Sequence, residues 1–176
     1  MKTREDILSR IPINSICAEI GVFTGQFSKE IISRINPKLI YLVDIFTGSV
    51  ISGDKNGENL QHVAELYESY FYLFKEYLQN SSVRIYRGSG EHFLSLIPDE
   101  YLDFIYIDSS HCYEDTKKEI ELSKRKVKRG GFICGHDYTP QFPGVIQAVD
   151  EFCKKYNLET ELTTEDKCPS YLIINK

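Results

Sequence analysis

The 176-residue sequence predicts an α/β fold with a mostly parallel sheet, and three observations carry that prediction. Short apolar runs alternate with segments of helical periodicity from end to end, with neither repeats nor a linker between them. The run 102–107 is apolar except at Asp103, as expected of a strand buried on both faces of a parallel sheet. Four of the strand-like runs end in polar residues, namely Glu19, Asp44, Asp108 and the pair His136-Asp137. Open α/β sheets bind their ligands at that carboxyl edge.

Residues 4–10 read as a short helix stopped by Pro12, and 15–20 as the first strand. Gly21-Val22-Phe23-Thr24-Gly25 follows as a turn, then a helix marked by Phe27, Ile31, Ile32 and Ile35 and ended by Asn36-Pro37. The second strand, 39–43, runs into Asp44 and completes a βαβ unit. Residues 46–59, rich in Gly, Ser, Asp and Asn, read as a mobile loop.

A long helix is expected over 60–78, with an aromatic face of Tyr67, Tyr70, Phe71, Phe74 and Tyr77. Most of these rings suit the core, and one or two near the loop would suit a pocket wall. Strand 83–86 ends in Arg87-Gly88-Ser89-Gly90, a short helix covers 91–97, and 102–107 is the fourth strand. The next helix is expected over 113–129, its last turns carrying Lys124, Arg125, Lys126, Lys128 and Arg129, where cations suit the helix dipole, before Gly130-Gly131 ends it. Strand 132–135 leads into His136-Asp137-Tyr138. A helix then carries Val145, Val149, Phe152 and Tyr156 on one face, and strands 158–162 and 171–174 close a hairpin-like edge.

Composition narrows the function. With 41% hydrophobic and 27% charged residues the chain reads as one soluble domain, residues 1–176. A formal net charge of -5 supplies no field for phosphate backbones, so a small-molecule substrate is expected rather than nucleic acid. The five cysteines form no close pair, which disfavours a disulfide framework or zinc ribbon and suits a cytoplasmic setting; Cys17 and Cys134 fall inside strands as small apolar groups. No apolar run is long enough to span a membrane, and the first residues do not form a signal peptide. Oligomeric state is open, a homodimer included.

The first turn is informative through its bulk. A dinucleotide fingerprint needs a glycine where this turn has Phe23, because the backbone must approach a pyrophosphate. Phe23, with Glu19 just before the turn, instead suits a ligand with an adenosine end and a positively charged end. Asp44 is placed to accept hydrogen bonds from ribose hydroxyls. Asp108 and Ser109 read either as site residues or as caps of the following helix.

Five stretches, AEIGVFTGQFS (18–28), YLVDIF (41–46), RGSGEHF (87–93), FIYIDSSHCYEDTKKEI (104–120) and KRGGFICGHDY (128–138), carry a resemblance. Together they resemble class I S-adenosylmethionine-dependent methyltransferases, in particular the small-domain group with macrolide- and aminocoumarin-type sugar O-methyltransferases and the related cephalosporin hydroxylases. The pairing of IDxxHxYE with GGxxxGHDY is the more specific part. The resemblance implies a Rossmann-like, doubly wound, mostly parallel seven-stranded sheet with an antiparallel C-terminal strand. It further implies that Glu19, Gly21, Phe23, Thr24 and Gly25 surround the methionine end of S-adenosylmethionine, that Asp44 binds the ribose, that Ser89 lies near the adenine and that Asp108 stands near the transferring methyl group.

In metal-dependent relatives the acid after the fourth strand and an acidic pair after the fifth hold Mg²⁺. The matching residues here are Asp108, His136 and Asp137, and an imidazole shifts preference toward another divalent metal. The expected reaction is methylation of a hydroxyl, with His111 or Asp108 as general base. Each histidine also has a bland reading, His111 as a helix N-terminal residue bonded to backbone and His136 as a structural residue at the sheet end. Two rival functions stay open: a non-haem metal hydroxylase using His111, His136 and a carboxylate, and a cofactor-binding module without catalysis.

Overall fold

A computed structural model describes residues 1–46, 60–164 and 167–176. The elements in chain order are α1 (Arg4–Leu8), β1 (Ile16–Ile20), α2 (Gln26–Ile35), β2 (Leu39–Asp44), α3 (Leu60–Leu73), α4 (Lys75–Gln79), β3 (Val83–Arg87), α5 (Gly90–Leu96), β4 (Leu102–Ile107), α6 (Tyr113–Lys126), β5 (Val127–Gly135), α7 (Pro143–Tyr156), β6 (Thr160–Leu162) and β7 (Tyr171–Ile174). Seven strands form one sheet in the order β3-β2-β1-β4-β5-β7-β6. β1 to β5 pair in parallel, and β7 runs antiparallel to both β5 and β6. The doubly wound sheet with an antiparallel C-terminal strand is therefore present.

Alternation along the strands builds a core on each face of the sheet. Cys17, Leu42, Phe104 and Tyr106 pack with Phe27 and Ile31 of α2 and with Tyr70 and Phe74. Ala18, Ile20, Ile105 and Ile107 pack on the other face with Phe93 of α5, Ile120 of α6 and Val149 and Phe152 of α7. Apolar runs were legible as strands because both of their faces are covered.

The largest departures from the expectation lie in two helices. The helix expected over 60–78 breaks at Phe74, whose φ of -111° and ψ of 16° are not helical. There the Phe74 ring packs beneath the glycine turn, beside Gly25. Phe71 and Tyr77 are exposed, so the aromatic face is divided between core and surface. The helix expected to reach residue 129 ends at Lys126, and Val127, Lys128 and Arg129 open β5. Gly130, at φ +78°, lies inside that strand, and its N–H donates to the Asn175 carbonyl (2.6 Å). The Asn175 side-chain amide in turn donates to the Val127 carbonyl (2.7 Å), so pairing with the last strand outcompetes helix propagation. The loop expected over 46–59 lies outside the described residues beyond Phe46.

Sheet order places the topological switch point between β1 and β4, the pair from which the chain winds outward in both directions. Gly21 closes it. Its N–H donates to the Val43 carbonyl (2.8 Å), its φ is +86°, and a Cβ built there would lie 2.0 Å from the Asp108 carbonyl oxygen. Only a residue without a side chain fits both the conformation and the approach. Gly21→Ala should lower stability by about 3 kcal/mol or more, or a melting midpoint drop of roughly 6–12 °C for a chain of this size. An unchanged midpoint in thermal unfolding would contradict this close packing.

Candidate functional site

A cleft of about 530 Å³ opens at the switch point, within the ~300–1,000 Å³ of small-molecule sites. Glu19, Gly21, Phe23, Thr24, Asp44, Ser89, Asp108 and His111 all line it. Gly25 does not; it starts α2 at φ +75° and supports the turn from behind, against Leu73 and Phe74.

Asp44 organises the turn. One carboxylate oxygen accepts the N–H groups of Val22 (2.8 Å) and Phe23 (3.1 Å), and the other accepts that of Phe46 (2.8 Å). These bonds hold Phe23 at a positive φ of 52° with its ring exposed. Ser89 caps α5 by accepting the His92 N–H (3.2 Å).

Glu19 is 2% exposed on the α2 side of the sheet, where the Ser28 hydroxyl donates to it. Burial pushes its carboxyl up to about 8, against the pull of Ser28 and with a further push from the Asp108 charge. An acid in this condition is uncharged near neutral pH and takes up charge when a cation arrives.

The ends of β4 and β5 bring three ligand atoms together. Asp108, His111 and Asp137 each offer one within 4.8 Å of the others. The closest contact among them is His111 Nε2 to Asp137 Oδ2, at 2.8 Å. His136, expected beside Asp108 and Asp137, places Nδ1 3.1 Å from Asp137 Oδ1 and 3.7 Å from Asp108 Oδ1. Among the described residues the three-member set contains one histidine, not two. Packing locates His111: its ring lies 4.1 Å from the Phe142 ring, and Gly144 of α7 lies close against the His111 carbonyl.

Burial raises the Asp108 carboxyl, with His136 opposing. For Asp137 the upward push of burial is outweighed by hydrogen bonding and charge from His136, so its carboxyl lies below the usual range. For His136 burial favours the neutral ring, but the Asp137 hydrogen bond and the Asp108 charge raise its affinity for a proton.

A second, much smaller cavity of about 10 Å³ borders this cluster, lined by Asp108, His111, His136, Asp137 and Tyr171. That volume is on the scale of one water or ion. The Tyr171 hydroxyl is buried and has no hydrogen-bond partner among the described residues. Sequence reasoning missed Tyr171, Arg4 and Glu119. Glu119 had a signal, since it falls on the buried stripe of α6 with Thr116, Ile120 and Ser123. Its carboxylate accepts the Ser109 hydroxyl (2.6 Å) and lies against Gly90. Burial raises that carboxyl to about 7.

Several solved structures share the fold. A Streptococcus mutans protein assigned as a methyltransferase, solved with S-adenosylhomocysteine, is 14% identical with a TM-score of 0.66, covering 100% of each chain. Precorrin-6y C5,15-methyltransferase from Geobacter metallireducens is 16% identical, with a TM-score of 0.63 over 98% of this chain and 91% of that one. An rRNA methylase from Streptococcus thermophilus is 11% identical, with a TM-score of 0.65 over 99% and 98%. No curated protein matched the sequence. A family model described as a methyltransferase domain matches residues 18–138, from the strand of Glu19 to the end of His136-Asp137-Tyr138. That match spans more than half of the chain, which thus belongs to the methyltransferase domain family and is a class I, S-adenosylmethionine-dependent methyltransferase.

Proposed function

We propose that this enzyme methylates a hydroxyl group of a small molecule, with S-adenosylmethionine lying along the cleft from Glu19 and Asp44 to Ser89 and the acceptor meeting Asp108 and His111. The observation that carries the reading is the continuity of one cleft wall from the glycine turn to those two residues. Bound S-adenosylmethionine supplies an electrophilic methyl group on a positively charged sulfur. Glu19 and Asp108 face that charge, Gly21, Phe23 and Thr24 enclose the methionine end, and Gly25 shapes the turn behind them. Asp44 accepts from the ribose hydroxyls with its remaining lone pairs, and Ser89 borders the adenine. His111 takes the hydroxyl proton: Asp137 holds Nε2 and leaves Nδ1 as the accepting nitrogen. Alignment of the acceptor oxygen with the methyl group does the rest.

The same cluster fits a divalent metal. Two carboxylates and one imidazole converge beside a cavity of ion size, which is also lined by Tyr171, whose buried hydroxyl has no partner among the described residues. Asp108, His111 and Asp137 would hold the ion, with His136 orienting Asp137, and the metal would lower the pKa of the acceptor hydroxyl. One nitrogen and two oxygens suit Mn²⁺ or Fe²⁺ as well as Mg²⁺.

Net charge and the acidic rim support a small acceptor over a polyanionic one, although the fold also serves rRNA methylases. Calorimetric titration with S-adenosylhomocysteine tests the cofactor site. Asp44→Ala should weaken binding at least tenfold, because ribose contacts and the order of the turn are lost together; unchanged affinity would remove the ribose assignment. Label from methyl-tritiated cofactor should appear on small hydroxyl acceptors, and its transfer to bulk RNA would overturn the acceptor class.

A further inference from the structure

We infer that Arg4, on the N-terminal helix, is the binding partner of the cofactor's α-carboxylate. The inference rests on the reading that S-adenosylmethionine occupies the cleft, and it assigns the one group of that ligand for which the acidic rim has no use. The amino-acid end of the cofactor carries a sulfonium, an ammonium and a carboxylate. Glu19 and Asp108 suit the two cations and repel the carboxylate. A cation is needed at the same end.

Among the described residues lining the cleft, the lysine and arginine side chains are those of Arg4 and Lys118. Lys118 already has a carboxylate partner, Glu91 of α5, at 3.3 Å. Arg4 lies over the Phe27 ring, 4.6 Å from guanidinium carbon to ring centroid, on the first turn of the helix that the glycine turn starts. That contact holds the guanidinium beside the turn, and α1 is itself anchored by the buried side chains of Ile7 and Leu8.

The donors of Arg4 remain available. Its nearest carboxylates, Glu5 and Asp108, are each 3.8 Å away, and it makes no hydrogen bond to any described residue. Five N–H groups in a rigid fork, held over the Phe27 ring and without a hydrogen bond to any described residue, match the geometry of a carboxylate accepting two hydrogen bonds. An arginine whose role was to neutralise Asp108 would be expected to close on it. Arg4 instead stands where it can bond a ligand carboxylate while still facing Asp108.

Decarboxylated S-adenosylmethionine keeps the adenosine, the sulfonium and the amine and lacks only the carboxylate, so it isolates this contact. The wild-type protein should bind S-adenosylmethionine about tenfold or more tightly than the decarboxylated compound. Arg4→Met, which keeps the aliphatic packing on Phe27, should lower affinity for S-adenosylmethionine by a similar factor and leave the decarboxylated compound within about twofold, so that the preference disappears. Arg4→Lys should restore part of it, since the charge is kept and the fork is lost. Thermal unfolding of both variants checks that the fold persists. A preference that survives Arg4→Met, or an equal loss for both compounds in both variants, overturns the assignment. If the wild-type protein binds neither compound, the cofactor reading itself falls, and the assignment falls with it.

Discussion

Asp108→Ala should lower turnover about a thousandfold while leaving affinity for S-adenosylhomocysteine within a few-fold. Two separate features of Asp108 support this division. Its backbone closes the switch point, where the carbonyl oxygen faces Gly21 and its N–H donates to the Ile20 carbonyl (2.7 Å), and alanine keeps both contacts. Its side chain faces His136 and the His111–Asp137 pair, on the side of the cleft assigned to the acceptor, and stands 3.8 Å from Arg4 on the cofactor side. Removing the carboxylate therefore takes away a charge beside the His111–Asp137 pair, or a metal ligand, and leaves the cofactor wall standing. Steady-state kinetics with calorimetry on the same preparation separates the two effects. If a metal takes part, the variant should also lose bound Mn²⁺, and chelation of the wild-type protein should reproduce the loss of turnover. A variant that turns over at the wild-type rate would remove Asp108 from the chemistry.

The acid rim is legible in the sequence because two physical rules converge on it. Parallel strands need apolar residues on both faces, so a strand such as Leu102–Ile107 shows where it stops. The residues just beyond such stops then share one edge, which is how Glu19, Asp44, Asp108 and Asp137 could be grouped from spacing alone. What stayed hidden came from packing between distant segments. Lys128 and Arg129 read as a helix end because cations and a glycine pair suit one, yet Asn175 draws them into β5 from the far end of the chain. The break at Phe74 follows from a ring seated under Gly25, a contact without a local signature. Arg4 reaches the cleft only because Ile7 and Leu8 dock the first helix on the sheet. His111 joins Asp137 through Phe142 and Gly144 of α7, so the pair His136-Asp137, adjacent in sequence, is not the pair that completes the three-member cluster.

Glu19→Gln should make the protein more stable and a poorer cofactor binder at once. Burial raises the folded-state carboxyl of Glu19 to about 8, well above its ordinary value of about 4.5. The sign follows from which form the fold prefers. The native state favours the protonated acid, so the favourable contribution is fully present below about pH 4.5 and is lost as pH rises through about 8. Each pH unit across that window costs about 1.4 kcal/mol, a few kcal/mol in all. Gln is isosteric, keeps a carbonyl acceptor for the Ser28 hydroxyl and carries no charge to bury. The melting midpoint of the variant should therefore stay level where that of the wild type falls, and the gap should be widest at pH 8 and above. Bound cofactor reverses the preference, because a sulfonium or ammonium beside Glu19 favours the carboxylate. Binding to the wild type near neutral pH should release close to one proton, visible as a dependence of the calorimetric heat on the ionisation enthalpy of the buffer. Asp44, Asp108 and Arg4 also act on Glu19, so Asp44→Asn serves as a control that should keep the release. In Glu19→Gln the release should vanish and affinity should fall by about ten- to a hundredfold. A midpoint difference that does not change with pH would show that Glu19 is already charged in the free protein, and the switch from neutral acid to counter-ion would be lost with it.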